Sequence, residues 1–401
     1  MNEINQEQRV ILAVLSNALF GNPLELPAEA DWDALLRESM AQAVFPTIFQ
    51  TVQNSIPEET KKNWEKKFLQ YTASNIRVSV AHANLHRLLT EHDIPYVILK
   101  GCASARYYPS PELRVLGDVD FLVGADDLKR CSELLIANGI RRTDDGTHQY
   151  HREYSWQNIV LELHWSLPGI PDTDSEKFKS KIGQFIADRV YVENTSGAFY
   201  VPDDFCHGFL LLLHTAKHIT SNGVGLRHLC DWIVFANRFE EEVFFSQFEE
   251  TLKDIGLWEF AKILTALGER FFGMPLKKWA EGIDGKLLDD LMADVLDSGN
   301  FGNKDCGRLG YAGVMREIYL RRIKDHGMLW PFAALIDRKA KERHPQLSKH
   351  LILRPLAWSA VVALQARRIL TGKRPPVKLG KELEYTKKRR ELYRQLKLFE
   401  E

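Results

Sequence analysis

Apolar residues recur at helical spacing over roughly the first 92 positions. Val10, Ile11, Val14 and Leu15 form one stripe, and Trp32, Leu35, Leu36 and Met40 form a second. Within Trp64–Leu89, the positions Phe68, Tyr71, Ile76, Leu85 and Leu88 lie near the same period. Pro46 and Pro57 fall between these segments or at their edges, where helices tolerate them. The pattern then turns β-rich. Pro95–Leu99 reads as a short strand stopped by Lys100-Gly101, and a helix-like turn from Cys102 to Tyr108 ends at Pro109 and Pro111. Val119–Val123 is a second strand, closed by Gly124, and Asp126–Asn138 is a helix stopped by Gly139. Two further strands, His148–Ser155 and Ile159–Trp165, flank Trp156-Gln157-Asn158, which suits a hairpin turn.

Residues 95–165 therefore read as one compact α/β unit of mixed strand order. Val190–Val192 and Phe199–Val201 around Asn194-Thr195-Ser196-Gly197 form another predicted hairpin. Beyond Pro202 the chain is helical to its end, with Asn222–Gly225 separating two helices. A basic linker, Gly372-Lys373-Arg374-Pro375-Pro376, precedes a charged helix from about Lys381 to Phe399. The expectation is an α+β protein. It comprises an N-terminal helical region over 1–92, a small mixed-sheet core over 93–201, a helical domain over 202–371, and a linker with a terminal helix over 372–401.

Composition narrows the classes. With 401 residues, 45% of them hydrophobic and 27% charged, the chain is an ordinary globular one of two or three domains. A net charge of -1 gives no strong nucleic-acid signal. Cys102, Cys131, Cys206, Cys230 and Cys306 are odd in number, widely spaced and without a CxxC pair, which excludes a zinc ribbon or a disulfide framework. The polar, acidic N-terminus is unlike a signal peptide, and no apolar run reaches the ~18 residues that span a bilayer. A reducing cytoplasm is the expected compartment.

The chemistry concentrates in Leu99-Lys100-Gly101 and Gly117-Asp118-Val119-Asp120-Phe121-Leu122-Val123. Alternation along a strand puts Asp118 and Asp120 on one face, roughly 7 Å apart at the backbone. Two carboxylates in an otherwise Val/Phe/Leu strand repel and lack solvation, and a divalent cation relieves both problems. Ligands that are all oxygen suit Mg²⁺ or Mn²⁺ better than Zn²⁺. Lys100-Gly101 at the start of a helical turn can seat phosphate, since glycine permits close approach. Glu162, in Val160-Leu161-Glu162-Leu163-His164-Trp165, is the leading third carboxylate, as a metal ligand or as the base for an acceptor hydroxyl. His164 shares its face and can orient it or contact phosphate, and Arg114 can neutralise a triphosphate.

These segments, together with Tyr107-Tyr108-Pro109 and Leu113-Arg114, resemble the uncharacterised bacterial nucleotidyltransferase family of the polymerase-β-like superfamily. The resemblance spans about residues 90–235. It implies a metal-dependent nucleotidyltransferase in which Asp118, Asp120 and Glu162 are the acidic triad and Gly101-Cys102 is the phosphate turn. The small residue after the glycine is often Ser in that superfamily. Here it is Cys102, with Ser104 two residues on. His214, His218, Leu226-Arg227 and Asp231-Trp232 resemble the family's helical segment after the catalytic unit, which implies membership of that segment and no chemical role.

The reaction expected is transfer of a nucleoside monophosphate from an NTP such as ATP to an acceptor hydroxyl, with Mg²⁺ or Mn²⁺ held by Asp118, Asp120 and Glu162. Lys100, Gly101, Cys102, Ser104, Arg114 and His164 are the expected nucleotide contacts. The rival is a non-catalytic nucleotide- or partner-binding protein on the same fold, with Cys102 as its support. His214 and His218 have zinc-helix spacing, but Thr215 stands where a metalloprotease carries its Glu. His82 and His86 are expected on a solvated helix face, and Arg227 and Asp231 as an i, i+4 ion pair. The stretch from Trp358 to Arg374 reads as a core-packing helix followed by a solvated basic end, with contact to an anionic membrane surface as the alternative.

Overall fold

The computed structural model describes residues 4–144, 150–167, 169–170, 175–194, 197–304, 313–315, 317–319, 329–371 and 389–400. Cys306, the Gly372–Pro376 linker, and the predicted positions 148–149, 195–196 and 381–388 lie outside them.

Four helices open the chain: α1 (Gln6–Phe20), α2 (Trp32–Ala41), α3 (Phe45–Val52) and α4 (Glu58–Glu91). Local chemistry sets the bounds of α1. The Asn5 side chain accepts from the Gln8 amide and the Gln8 side chain accepts from the Asn5 amide, while Gly21 closes the helix at φ +72°. Pro46 sits in the first turn of α3 and Pro57 at the N-cap of α4, as expected.

Next come β1 (Tyr96–Ile98), the one-turn α5 (Cys102–Ala105), β2 (Val119–Val123), α6 (Leu128–Ala137), β3 (Arg141–Arg142), β4 (His151–Trp156) and β5 (Ile159–His164). The sheet runs β1-β2-β5-β4-β3. β2 and β5 are parallel and the other pairs antiparallel, so the sheet is mixed. The β4–β5 turn is Gln157-Asn158, both at positive φ as a two-residue hairpin requires, with Trp156 opposite Ile159. α5 is shorter than the Cys102–Tyr108 turn expected from the sequence. The edge strand β3 and helix α7 (Ser175–Ala187) went unpredicted. β6 (Val190–Asn194) and β7 (Gly197–Val201) pair as a separate hairpin.

Helices then dominate: α8 (Asp204–Ile219), α9 (Leu226–Asn237), α10 (Glu241–Phe244), α11 (Glu250–Asp254), α12 (Trp258–Phe272), α13 (Gly285–Ser298), α14 (Leu329–Arg343), α15 (Pro345–Lys349) and α16 (Arg354–Leu370). The architecture is α+β, a small mixed sheet among helices.

Both faces of β2 are covered, which is why its five residues read as nearly continuous apolar sequence. Val119, Phe121 and Val123 join Val78, Leu85 and Leu89 of α4 and Cys131 and Leu135 of α6 in one core. Leu122, with Val97 and Leu99, belongs to the other core, built mainly by α1–α3 and α8–α13. The face of β2 that carries Asp120 therefore looks towards α8 and α9. No helix among the described residues is long and apolar enough to cross a membrane.

α16 buries Ala357 and Val361 in a small core with α14 and α15, apart from the main core. Residues 389–400, the end of the charged helix expected over 381–399, pack on the main core instead. Leu392, Leu396 and Phe399 join the main core, the Phe399 amide donates to the Gly256 carbonyl (2.7 Å), and Arg389 pairs with Asp294 (3.2 Å).

Candidate functional site

The Leu99 amide donates to the Asp120 carbonyl (2.9 Å), which extends the β1–β2 ladder up to Lys100. Gly101 follows at φ +61°, ψ -111°, a conformation open to glycine, and a Cβ there would lie 3.9 Å from the Asp118 carbonyl and from His82 Nε2. Lys100 is thereby turned across the mouth of β2. On the neighbouring parallel strand Glu162 stands opposite Asp120, and His164 opposite Leu122. Asp118 precedes β2 and is exposed, Asp120 is buried and Glu162 half-buried. Oxygens of these three carboxylates lie within 4.8 Å of one another.

Lys100 and His164 hold the carboxylates. Lys100 Nζ lies 2.8 Å from Asp120 Oδ1, and His164 Nε2 lies 3.1 Å from both Asp120 Oδ1 and Glu162 Oε2. Burial opposes ionisation of Asp120, but the Lys100 ammonium and the hydrogen bond from His164 outweigh it and hold the carboxyl well below the usual range. Burial likewise pulls His164 down, and its bonds to Asp120 and Glu162 more than reverse this. Lys100 follows the same pattern, raised by Asp120 and Glu162 against its burial. Three converging oxygens, one of them exposed to an entry path, fit a hard divalent ion such as Mg²⁺ or Mn²⁺. His151, Glu162 and His164 form a second group of potential ligands that shares Glu162.

The loop leading into Asp118 is splinted by Asn75 on α4. Its amide donates to the carbonyls of Glu112 (3.0 Å) and Arg114 (2.9 Å), and its oxygen accepts from the Leu116 amide (3.0 Å).

Arg114 is drawn away from the carboxylates. Its Nε and Nη2 donate to Asp231 Oδ1 and Oδ2 at 2.7 and 2.6 Å, and the Tyr108 hydroxyl donates to the same Oδ1 at 2.8 Å. The pair is buried, so Asp231 bonds to a residue 117 positions away and not to Arg227, as i, i+4 spacing had led us to expect. Cys102 and Ser104 are buried in α5, and burial pushes the Cys102 thiol up to about 12. With four residues, α5 is too short to contribute much helix dipole to a phosphate site.

Facing the carboxylates is a wall that sequence reasoning gave no chemical role. His214 Nε2 lies 3.5 Å from Lys100 Nζ. The His214 ring centre is 4.4 Å from that of His218 and 5.5 Å from that of His228. All three imidazoles are held neutral, first by burial and then by neighbouring cations: Lys100 for His214, Lys217 for His218, Arg227 for His228. Arg227 donates weakly to the Val115 carbonyl (3.4 Å) and lies over the Phe301 ring (5.5 Å), and its buried Nε has no partner. Lys217 lies over Tyr150 (5.2 Å), whose ring is stacked on His164 (6.5 Å). His82, expected in solvent, is buried beneath Gly101 with both ring nitrogens unpartnered, and burial lowers it to about 4. His86 is half-buried and bonds to the Tyr96 hydroxyl (2.8 Å). The signal in the sequence is the cluster of His and Lys in His214–His218, which reads there as part of the family's helical segment or as zinc-helix spacing.

A mixed sheet with an acidic group on adjacent strands, set among helices, defines an α+β nucleotidyltransferase-like fold. The chain belongs to the family described as uncharacterised nucleotidyltransferase, whose model matches residues 28–273. The crystal structure of an antigenic nucleotidyltransferase-like protein from Paracoccidioides brasiliensis is similar at 13% identity and a TM-score of 0.30, the match covering 50% of this chain and 93% of that one. No curated protein matches the chain significantly.

Proposed function

We propose that the protein transfers a nucleoside monophosphate from an NTP to an acceptor hydroxyl, releasing pyrophosphate, with Asp118, Asp120 and Glu162 holding Mg²⁺ or Mn²⁺. The observation that carries this reading is the convergence of three carboxylates within 4.8 Å opposite a wall of Lys100, His214, His228 and Arg227. Acid on one side and bases on the other suit a metal–polyphosphate chain lying between them. Asp118, Asp120 and Glu162 would hold the ion, which would supply Lewis-acid stabilisation of negative charge.

The chain's own groups divide the remaining work. His164 donates its Nε2 proton to Asp120 and Glu162 and so orients both carboxylates. Glu162, half-exposed, completes the cage or accepts the acceptor's proton. Gly101 keeps the turn beside Asp118 clear of a side chain. Lys100 neutralises Asp120, and Lys100 and Arg227 would supply positive charge for the phosphates. The four described cysteines are unpaired and buried, which fits a reducing cytoplasm.

The test is calorimetric titration with Mg²⁺ and a non-hydrolysable NTP. Binding in the parent and its loss in Asp118→Asn/Asp120→Asn supports the assignment, and equal binding in both proteins overturns it. The Lys100–Asp120 contact also favours a second reading, a nucleotide-binding protein without turnover, because the ammonium already occupies a cation position. Incubation of candidate acceptors with each labelled NTP separates the two. A labelled product excludes the second reading, and binding with no product from any NTP favours it.

A further inference from the structure

The segment α14–α16 carries an outward surface that nothing in the nucleotidyl-transfer reading uses. α14, α15 and α16 pack on one another through a small core of Ala340, Ala357 and Val361, with Leu347 against it. That core takes up one side of α16. About a third of a turn round from it, Leu356, Ala360, Ala363, Arg367 and Leu370 follow one another at i, i+4, i+7, i+11 and i+14, and every one is exposed. Leu356 is 59% exposed and Leu370 86%.

The turn just before α16 continues the surface. Leu351 and Ile352 are adjacent and 73% and 91% exposed, so two aliphatic side chains project together from the tip. Scattered exposed leucines need no explanation, whereas Leu351 and Ile352 side by side at a tip that adjoins Leu356 do. The Trp358 indole, at the flank, donates to Asp337 Oδ1 (3.2 Å) and is fixed with its ring part-exposed.

Charge selects the occupant. From Arg343 to Thr371 the sequence holds Arg343, Lys349, Arg354, Arg367 and Arg368 and no Asp or Glu. Among the described residues neither Arg367 nor Arg368 has an acidic partner. A second copy meeting this row about a two-fold axis would set Arg367 against a like charge. An anionic bilayer surface answers both features: aliphatic side chains enter the acyl boundary, and arginines remain at the phosphate level. With 17 residues and its own packing side, α16 would lie on such a surface and not cross it.

We propose that the Leu351–Leu353 turn and the exposed Leu356–Leu370 row of α16 dock the protein on an anionic lipid surface. The proposal is independent of the nucleotidyl-transfer reading, since it uses none of the residues around Asp120.

The experiment is co-sedimentation of the full chain with phosphatidylcholine vesicles and with vesicles containing phosphatidylglycerol. Binding is expected to the second only, and to weaken in about 0.5 M salt, where the screening length falls to a few ångströms. Ile352→Glu/Leu356→Glu and Arg367→Glu/Arg368→Glu are each expected to weaken it by about tenfold or more. The altered positions are exposed, and unchanged circular dichroism and thermal melting would confirm that the variants fold. Quenching of tryptophan fluorescence by brominated phosphatidylglycerol, diminished in Trp358→Phe, gives a readout that needs no charge change. Sedimentation with neither vesicle, or undiminished binding in both double variants, overturns the proposal. So does a dimer in gel filtration that Leu356→Glu dissociates, which would make this a self-association surface.

Discussion

Asp231→Asn probes a buried charge in the neighbourhood of the site. The substitution keeps the shape of the side chain and removes its charge, leaving the Arg114 guanidinium without a counter-ion where the two side chains were only 5% and 7% exposed. Two charge-assisted bonds of 2.7 and 2.6 Å are weakened together. Stranding one member of a buried pair costs about 3–5 kcal/mol. The lower end applies here, because the Asn oxygen can still accept from Tyr108 and from one guanidinium N–H. Against a total stability of about 5–15 kcal/mol, that is a large fraction. Equilibrium urea unfolding followed by tryptophan fluorescence reads it directly. The companion variant Arg114→Met/Asp231→Leu/Tyr108→Phe removes all the polar groups at once and should recover most of the loss, since no charge is left uncompensated. If Asp231→Asn stays within about 1 kcal/mol of the parent, or the triple variant is worse than the single one, the strut between α9 and the Asp118 loop does not carry the energy assigned to it.

Acid should destabilise the fold through its neutral histidines. His82 and His228 are lowered to about 4 and about 3, while an unfolded chain takes up these protons near 6.5. Their contribution is complete above about pH 6.5 and falls by about 1.4 kcal/mol per unit per imidazole as pH drops towards 4. His164, raised in the fold, works in the opposite sense, its contribution being present below about 6.5 and lost at higher pH. Urea midpoints between pH 7 and 5 should fall, with a shallower slope in His228→Asn; a flat profile contradicts the burial argument. Gly101→Ala meets only ordinary contacts at 3.9 Å, so its whole effect is backbone strain at φ +61°, about 1–3 kcal/mol by the same assay. A change under about 0.5 kcal/mol would mean that the turn relaxes freely.

Strand β2 was legible because five covered residues leave a plain hydrophobic signature, and an Asp in such a run stands out. The β4–β5 hairpin was legible because its turn chemistry is local. The partner of Asp231 was not, since helical spacing proposes Arg227 and only the tertiary fold brings Arg114 across 117 positions. The same limit hid His82, whose burial depends on the packing of α4 under Gly101, and Asn75, whose three bonds reach a loop some 40 residues on. The histidine wall needed α8 and α9 side by side, with His214 and His228 each ordinary in isolation. Strand β3, two charged residues at an edge, left no pattern to read.

The parallel pairing of β2 with β5 has a consequence for how far the site can drift. Asp120 and Glu162 are direct cross-strand neighbours, so the distance between their Cα atoms is inherited from the backbone ladder, about 4.8 Å in any sheet. Helices and loops around the cleft are free to diverge without altering that gauge. The length of the side chain at each position then sets the reach of its carboxylate, which a one-carbon exchange such as Glu162→Asp would shorten.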